Sequence, residues 1–512
     1  MKIGILADLT RTSGFGHFKR MLGLSEELER LKHKCFFIIN KSSLIFTKER
    51  IRKKINFLTI KDNGIQNFLN IINKESIKTV IFDTYKKKYL VYEKKLKERN
   101  IKIVAIDDYL YNHSADLIIT NREFVPNEFL KKNKRLFTGF KYALTSNISE
   151  VKFKKKQSKK FKILFHAGGN EDYKNFGKFF SFSLNYLDKL KNVNVTFLTL
   201  TNETQKYLKF LKKKDNLKKK FNFIKYKENF TKHLRSFDIV CGPLGTTTFE
   251  TILAGSFPYT FLRQKVRLDP FSSWLKNGHL INLNRNEIVN KRVITNTWDF
   301  TFKNFKMLKK ILIDNSKDLD GKANKRVAKI ISGKHIASKI SFRQGRLKKN
   351  KIEIKKCSLM DARKFLELRN KPNNKQVSTS NRNIIWPEHI NWFLNKNIKK
   401  FKLIDSNSSK LFFWFKVIKD KFGKIIISGI ITEKKNDDEL KYVGIALKKL
   451  NYLVRKSVKD ATWIVFNKKE NIIFERFNAN MGFKSIRNNN LLRLKSLINI
   501  NSKIFSVSEL KI

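Results

Sequence analysis

Cysteine is scarce in this 512-residue chain: Cys35, Cys241 and Cys357 stand far apart, with no CxxC pair and no Cys/His ligand spacing. That excludes a disulfide framework and a conventionally spaced zinc site, and it fits a reducing compartment. No stretch approaches the ~20 apolar residues of a membrane span. The opening MKIGILADLT has one lysine before a short apolar run and no signal-peptide layout. A soluble, cytoplasmic protein is expected, and no membrane span. Acidic residues are also few, 44 against 110 Lys plus Arg, for a formal net charge of +66. No carboxylate pair of the DxD type is convincingly placed, so no metal is expected.

Clustered lysine would mean a nucleic-acid or anionic-membrane partner, because it neutralises phosphates. That polybasic binder is the alternative from outside enzymology. Here lysine recurs on every expected helix and loop alongside Asn, Ile and Phe, all of which have A/T-rich codons. A solvated lysine surface set by codon bias is the better reading, with no nucleic-acid partner expected and a bias toward small anionic substrates.

What is present is a sizeable core. With 41% hydrophobic residues and 45 Phe, the chain exceeds the roughly 250–300 residues at which one core stops growing, so two or three domains are expected. Apolar runs alternate with helical patterns through 2–8, 34–40, 79–85, 102–108 and 116–121, then again through 162–170, 194–201, 221–226, 237–243 and 257–262. Strand, helix, strand in repetition predicts parallel sheets covered by helices. Basic stretches at 145–160 and 343–350 read as linkers. They divide the chain into lobes at 1–148 and 160–335 and a domain of different texture at 351–498, with helices near 359–370 and 387 and long strands at 411–418 and 424–432.

Three glycine-bearing turns follow strands: Gly14-Phe15-Gly16-His17, His166-Ala167-Gly168-Gly169-Asn170, and Gly242 to Glu250. Glycine lets backbone approach a ligand, and a helix N-terminus offers free N–H groups to a phosphate. Gly245, Thr246 and Thr247 are placed to hold a diphosphate, and Glu250, one turn on, to accept from ribose hydroxyls. His17 has the intrinsic pKa for proton transfer at neutral pH and is expected to point into the cleft.

The run GFGHFKR, DTY, IDDY, HAGGNEDYKN and GPLGTTTFETILAGSFP resembles the UDP-2,4-diacetamido-2,4,6-trideoxy-β-L-altropyranose hydrolases of pseudaminic acid biosynthesis, relatives of the GT-B glycosyltransferases. The resemblance covers residues 1 to about 320. It implies an α/β fold of two Rossmann-like lobes and hydrolysis of a UDP-sugar with His17 as the catalytic base. Gly14, Gly16 and Arg20 would bind the substrate and Tyr85 would lie near the sugar, with Gly168, Gly169 and Asn175 in the second lobe's loop and Glu250 at the uridine ribose. Leu6-Ala7-Asp8 departs from the family's Arg-x-Asp, and the segment RQKVRLDP after SFP departs from its DNQ-like stretch. A GT-B UDP-sugar glycosyltransferase, in which an acceptor hydroxyl replaces water, is the enzymatic alternative.

Residues 351–498 resemble the GNAT acetyltransferases, an α+β fold. Lys441-Tyr442-Val443-Gly444-Ile445-Ala446 fits a loosened pyrophosphate turn, Asn471 and Met481-Gly482-Phe483 the N…GF ending, and Leu368-Arg369-Asn370 with Glu388-His389 the start of acetyltransferases that act on amino-sugar nucleotides. The resemblance implies acetyl-CoA as cofactor, held by Lys441, Gly444, Ala446 and Asn471, and a sugar amine as acetyl acceptor. Asn478 stands where that superfamily commonly has a tyrosine acid.

Overall fold

The computed structural model describes residues 1–7, 9, 15–40, 43–44, 55–60, 64–84, 86–123, 125, 129, 135–146, 160–169, 173–199, 201–218, 221–226, 230–263, 273–333, 352–376, 378, 382–405, 408–433, 437–468, 475, 478–486 and 505–512. Chain contacts divide it into two compact units, residues 1–340 and 341–512.

In the first unit the apolar runs become strands: β1 (Lys2–Ala7), β2 (Lys34–Asn40), β3 (Phe57–Ile60), β4 (Thr79–Asp83), β5 (Lys102–Ile106), β6 (Leu117–Thr120) and β7 (Leu136–Thr138). They form one parallel sheet of order β3-β2-β1-β4-β5-β6-β7. A parallel sheet is covered on both faces, so its strands read as unbroken apolar runs, and all five residues of β4 are buried. Between β1 and β2 lies helix α1 (Gly16–Arg30), which buries Phe18, Met21, Leu24 and Leu28. Fully burying each such side chain contributes about 1.5–3 kcal/mol. His17 and Arg20 are buried on the same helix, three residues apart, so the chemistry shares a face with the core.

A second parallel sheet has the order β10-β9-β8-β11-β12-β13. Its strands are β8 (Phe161–Phe165), β9 (Val193–Thr199), β10 (Phe221–Lys225), β11 (Ile239–Pro243), β12 (Phe257–Phe261) and β13 (Asn282–Leu283). The two α/β lobes expected from the sequence are thus present. One boundary is corrected by packing: helix Ala323–Ile331, within the stretch 160–335, places Val327, Ala328, Ile330 and Ile331 in the core of the first lobe. Asn324 secures this return, accepting from the Thr145 N–H at 3.3 Å and donating to the Thr145 carbonyl at 2.7 Å.

The second unit is a mixed sheet of order β14-β15-β16-β17-β18-β20-β19. The strands are β14 (Glu353–Lys356), β15 (Ile398–Asp405), β16 (Ser408–Asp420), β17 (Gly423–Thr432), β18 (Ala461–Lys468), β19 (Lys484–Ser485) and β20 (Phe505–Lys511). Among the described strands of this sheet only β17 and β18 pair in parallel, and the helix Asp437–Ser457 lies between them in the chain. They pair from Lys424/Ala461 to Ile427/Ile464 and then diverge, although β17 runs on to Thr432 and β18 to Lys468. The expected turn at 441–446 is corrected: these residues lie inside that helix, and Ala446 is fully buried with Val443, Leu450, Val454 and Trp463.

Candidate active site

Both parallel sheets reverse their strand order once, between β1 and β4 in the first lobe and between β8 and β11 in the second. At such a switch point the loops leaving the two adjacent strand ends diverge and open a crevice. The glycine turns follow β1, β8 and β11, so they stand at these crevices. They also meet one another. A side chain at Gly169 would come within 2.7 Å of the Phe15 backbone nitrogen, and one at Gly16 would touch the Thr246 hydroxyl at 3.5 Å. The absent side chain at Gly169 therefore lets the two lobes approach, while Gly16 stands at ordinary contact distance.

The fourth strand end at the first crevice carries Asp83, last residue of β4 and fully buried. Its Oδ1 accepts from His17 Nδ1 at 2.7 Å and from the Arg20 guanidinium at 2.5 Å, and its Oδ2 accepts from Arg20 Nε at 2.7 Å. Arg20 also donates to Asp108 Oδ2 at 2.9 Å. Burial alone would raise the Asp83 pKa, but the charges and hydrogen bonds of Arg20 and His17 outweigh it and hold it at about 2. An ionised carboxylate only accepts. His17 Nδ1 must therefore carry the proton, which leaves the lone pair of the neutral ring on Nε2.

His17 is buried, 7% exposed, with one nitrogen fixed by a carboxylate. The Arg20 fork is engaged by Asp83 and Asp108. Sequence reasoning passed over Asp83 itself. The signal was the D-x-Y of TVIFDTY, a carboxylate at the end of an otherwise apolar run.

In the second lobe, Gly168 adopts φ +84°, and a side chain there would fall 2.0 Å from the Arg263 guanidinium. Arg263 donates to the Ala167 carbonyl at 2.7 Å, which brings a cation to the loop after β8. His166 is buried beneath it. Desolvation and then the Arg263 charge lower its pKa to about 3, so the ring is neutral, and its bulk leaves no room for a side chain at Gly242. After β11, helix Thr246–Leu253 begins with half-exposed Thr246 and Thr247, whose N–H groups have no partner within the helix. Gly245 precedes them, exposed and extended, with open space around it. Asn175 is exposed in the turn before the helix Gly177–Asp188.

Glu250 is buried, and its Oε1 accepts from the Ser146 N–H at 3.1 Å and the Ser146 hydroxyl at 2.5 Å. It accepts from a hydroxyl, as a ribose partner must, but the hydroxyl belongs to the chain's own linker. Lys19, on α1, lies 4.9 Å over the Tyr226 ring, and Glu250 and Tyr226 raise its pKa against the effect of burial. Arg263, Ser146 and Lys19 escaped sequence reasoning, although Lys19 sits within GFGHFKR.

Gly14, Tyr85 and Asn471 lie outside the described residues. Gly444 and Ala446 do not make a pyrophosphate turn, since a helix frees only its first four N–H groups and those belong to Asp437–Leu440. Lys441 falls on the same helix. The described pairing of β17 with β18 ends at Ile427 and Ile464. Among the described residues no group of three or more His, Cys, Asp or Glu is arranged to hold a metal, and no helix is long and apolar enough to cross a membrane.

No protein-family model matches the chain. A curated relative is found. It is the UDP-2,4-diacetamido-2,4,6-trideoxy-β-L-altropyranose hydrolase of Campylobacter jejuni, 26% identical over 224 residues, which span 43% of this chain and 77% of that protein. Among solved structures the chain is similar to the spinosyn rhamnosyltransferase SpnG, with 9% identity and a TM-score of 0.49 over 65% of this chain and all of that one. It is also similar to the UDP-GlcNAc 2-epimerase of Neisseria meningitidis bound to UDP-GlcNAc, with 11% identity and a TM-score of 0.45 over the same shares.

Proposed function

We propose that residues 1–340 act on UDP-sugars and hydrolyse a UDP-linked 2,4-diacetamido-trideoxy sugar, releasing UDP and the free sugar for a pseudaminic-acid-type nonulosonate. The 26% identical hydrolase supports this reading, as do the glycine turns at both switch points. The observation that carries it is the ionised Asp83 on His17 Nδ1, which sets Nε2 as a base. In this reaction Nε2 takes a proton from water. The water oxygen bonds to the anomeric carbon, and the carbon–oxygen bond to the diphosphate breaks with its electrons going to UDP. The charge that develops on UDP is met by the N–H groups of Thr246 and Thr247 and by Arg263. Buried Asp83 stabilises the imidazolium formed, while Arg20 holds Asp83.

The test is to incubate purified full-length protein with UDP-sugars in the absence of any acceptor and to score UDP. Release of UDP and free sugar supports hydrolysis. Release only when a second sugar is supplied makes the chain a glycosyltransferase using the same base.

For the second unit we propose acetyl-CoA binding between β17 and β18, serving acetylation of a sugar amine. The divergence of the two strands after Ile427 and Ile464 supports it. Calorimetry of the full chain with acetyl-CoA tests it, and no heat at millimolar cofactor rejects it.

A further inference from the structure

The loop that follows β5 in the first lobe has a construction that the reaction above does not use. Asp107 accepts the backbone N–H groups of Tyr109 at 2.6 Å and Tyr111 at 2.5 Å. His113 is clamped between Glu93 Oε1 at 2.7 Å and Asp107 Oδ2 at 3.0 Å, and the Ser114 N–H donates to Glu93 Oε2 at 2.8 Å. Between the tyrosines the chain passes through Leu110 at φ +61°, a left-handed conformation that costs an L residue energy. Such strain persists only where its surroundings enforce it, and it gathers at functional positions.

The product of this bracing is a pair of phenol rings stacked 5.8 Å apart at 12°. Tyr109 is 46% exposed, although a ring of that size is ordinarily covered. Tyr111 is half-buried, with the Lys87 ammonium 5.7 Å from its centre. The residue beside Tyr109 is Asp108, which binds Arg20, and Arg20 binds Asp83 and so His17. Two ion pairs therefore fix the ring pair relative to the base.

We propose that Tyr109 and Tyr111 form a stacking platform for a neutral pyranose ring at the first-lobe crevice, a sugar subsite distinct from the nucleotide-binding turns. The inference rests on the UDP-sugar reading above. Aromatic faces take up the apolar C–H face of a ring while the polar rim stays wet. The acidic groups behind the platform are already paired, Asp107 with His113 and Asp108 with Arg20, so it offers a stacking face rather than a net charge, which suits a neutral ring. The occupant is a sugar rather than a base because the features suited to a nucleotide lie on the other lobe.

Calorimetry on the full chain with UDP and with UDP-N-acetylglucosamine separates the possibilities. Tyr109→Ala is expected to weaken UDP-N-acetylglucosamine about tenfold, equivalent to about 1.4 kcal/mol, and to leave UDP within about twofold. Tyr109→Phe retains the flat ring and should bind like wild type. Tyr109→Leu keeps apolar bulk without the flat ring and should behave like Tyr109→Ala, which covers the case in which alanine unfolds the loop. The platform is overturned if the Leu and Ala variants hold UDP-N-acetylglucosamine as tightly as wild type, if both ligands weaken in parallel, or if wild type binds the sugar nucleotide no tighter than UDP. Absence of UDP binding by wild type is a different outcome, and it overturns the UDP-sugar reading itself together with the platform.

Discussion

Replacing Asp83 with asparagine isolates the electrostatic core of the proposed mechanism at almost constant volume. Asp83 accepts three hydrogen bonds in a fully buried position, and its pKa is held at about 2 against an ordinary 3.8. A depressed carboxylate pKa stabilises the fold above the unfolded-state value and loses that contribution as pH falls through the folded one. At neutral pH this is on the order of 2 kcal/mol, lost between about pH 4 and pH 2. The amide also leaves the Arg20 charge half-paired. Breaking a buried pair costs about 3–5 kcal/mol, and because Asp108 still binds Arg20, the lower end is expected. The catalytic effect is separate. Whichever way the amide lies its NH2 meets an Arg20 N–H, since Oδ1 accepts from both His17 Nδ1 and Arg20 and Oδ2 accepts from Arg20 Nε; with NH2 at the Oδ1 position it also faces His17 Nδ1 and drives the imidazole proton onto Nε2. No lone pair then faces water. The turnover number for UDP release should fall by ~10²–10⁴-fold, the range for a lost or mis-tautomerised base. UDP affinity should hold, since the proposed nucleotide contacts are on the second lobe. A folded Asp83→Asn protein with wild-type turnover would refute the reasoning, and so would a matching loss of UDP affinity in calorimetry.

Glu250→Ala should weaken UDP by about 1.5–3 kcal/mol, the scale of a hydrogen bond to a charged group, and unchanged affinity would remove Glu250 from the ribose site. Gly168→Ala meets both a left-handed backbone and the Arg263 guanidinium, whereas Gly245→Ala meets open space in an extended backbone. Thermal melts should show a clear loss for the first and a change of no more than about 0.5 kcal/mol for the second, and equal losses would contradict the loop geometry. For His113, burial lowers the pKa, but hydrogen bonds and charge from Asp107 and Glu93 outweigh it and hold it at about 9. A raised histidine pKa stabilises fully below the unfolded value of 6.5 and ceases to do so as pH rises through about 9. The melting temperature should therefore drop more steeply between pH 6.5 and 9 in wild type than in His113→Gln, and parallel profiles would dismiss the clamp.

The parts of this molecule that were legible in its sequence share a physical origin. Strands buried on both faces need unbroken apolar runs, so β2 coincides with the run read at 34–40, and β1, β4 and β5 lie within a residue or two of theirs, while β8 ends five residues before its run does. Glycine turns announce themselves for the same kind of reason, because close approach of backbone excludes a side chain, as Gly169 against Phe15 shows. What stayed hidden is non-local. Asp83 is one polar residue closing an apolar strand, and its meaning comes from β4 lying beside β1, which no spacing along the chain encodes. Ser146 reads as linker until the fold brings it onto Glu250, 104 residues away. Short strands such as β7, three residues long, carry too little pattern to be read at all.

The second unit shows the opposite failure, in which a visible signal was outweighed. Val443, Ala446, Leu447, Leu450 and Val454 recur at helical spacing, and all are buried against Trp463. Gly444 nevertheless drew the stretch toward a turn. An interior glycine costs a helix about 1 kcal/mol relative to alanine, and burying one leucine offsets that. A helix with five such anchors therefore runs through its glycine. The phosphate-facing N–H groups required by an acyl-CoA must then be sought elsewhere, and the strand divergence beyond Ile427 and Ile464, unlike Gly444, is a feature that only pairing register could reveal.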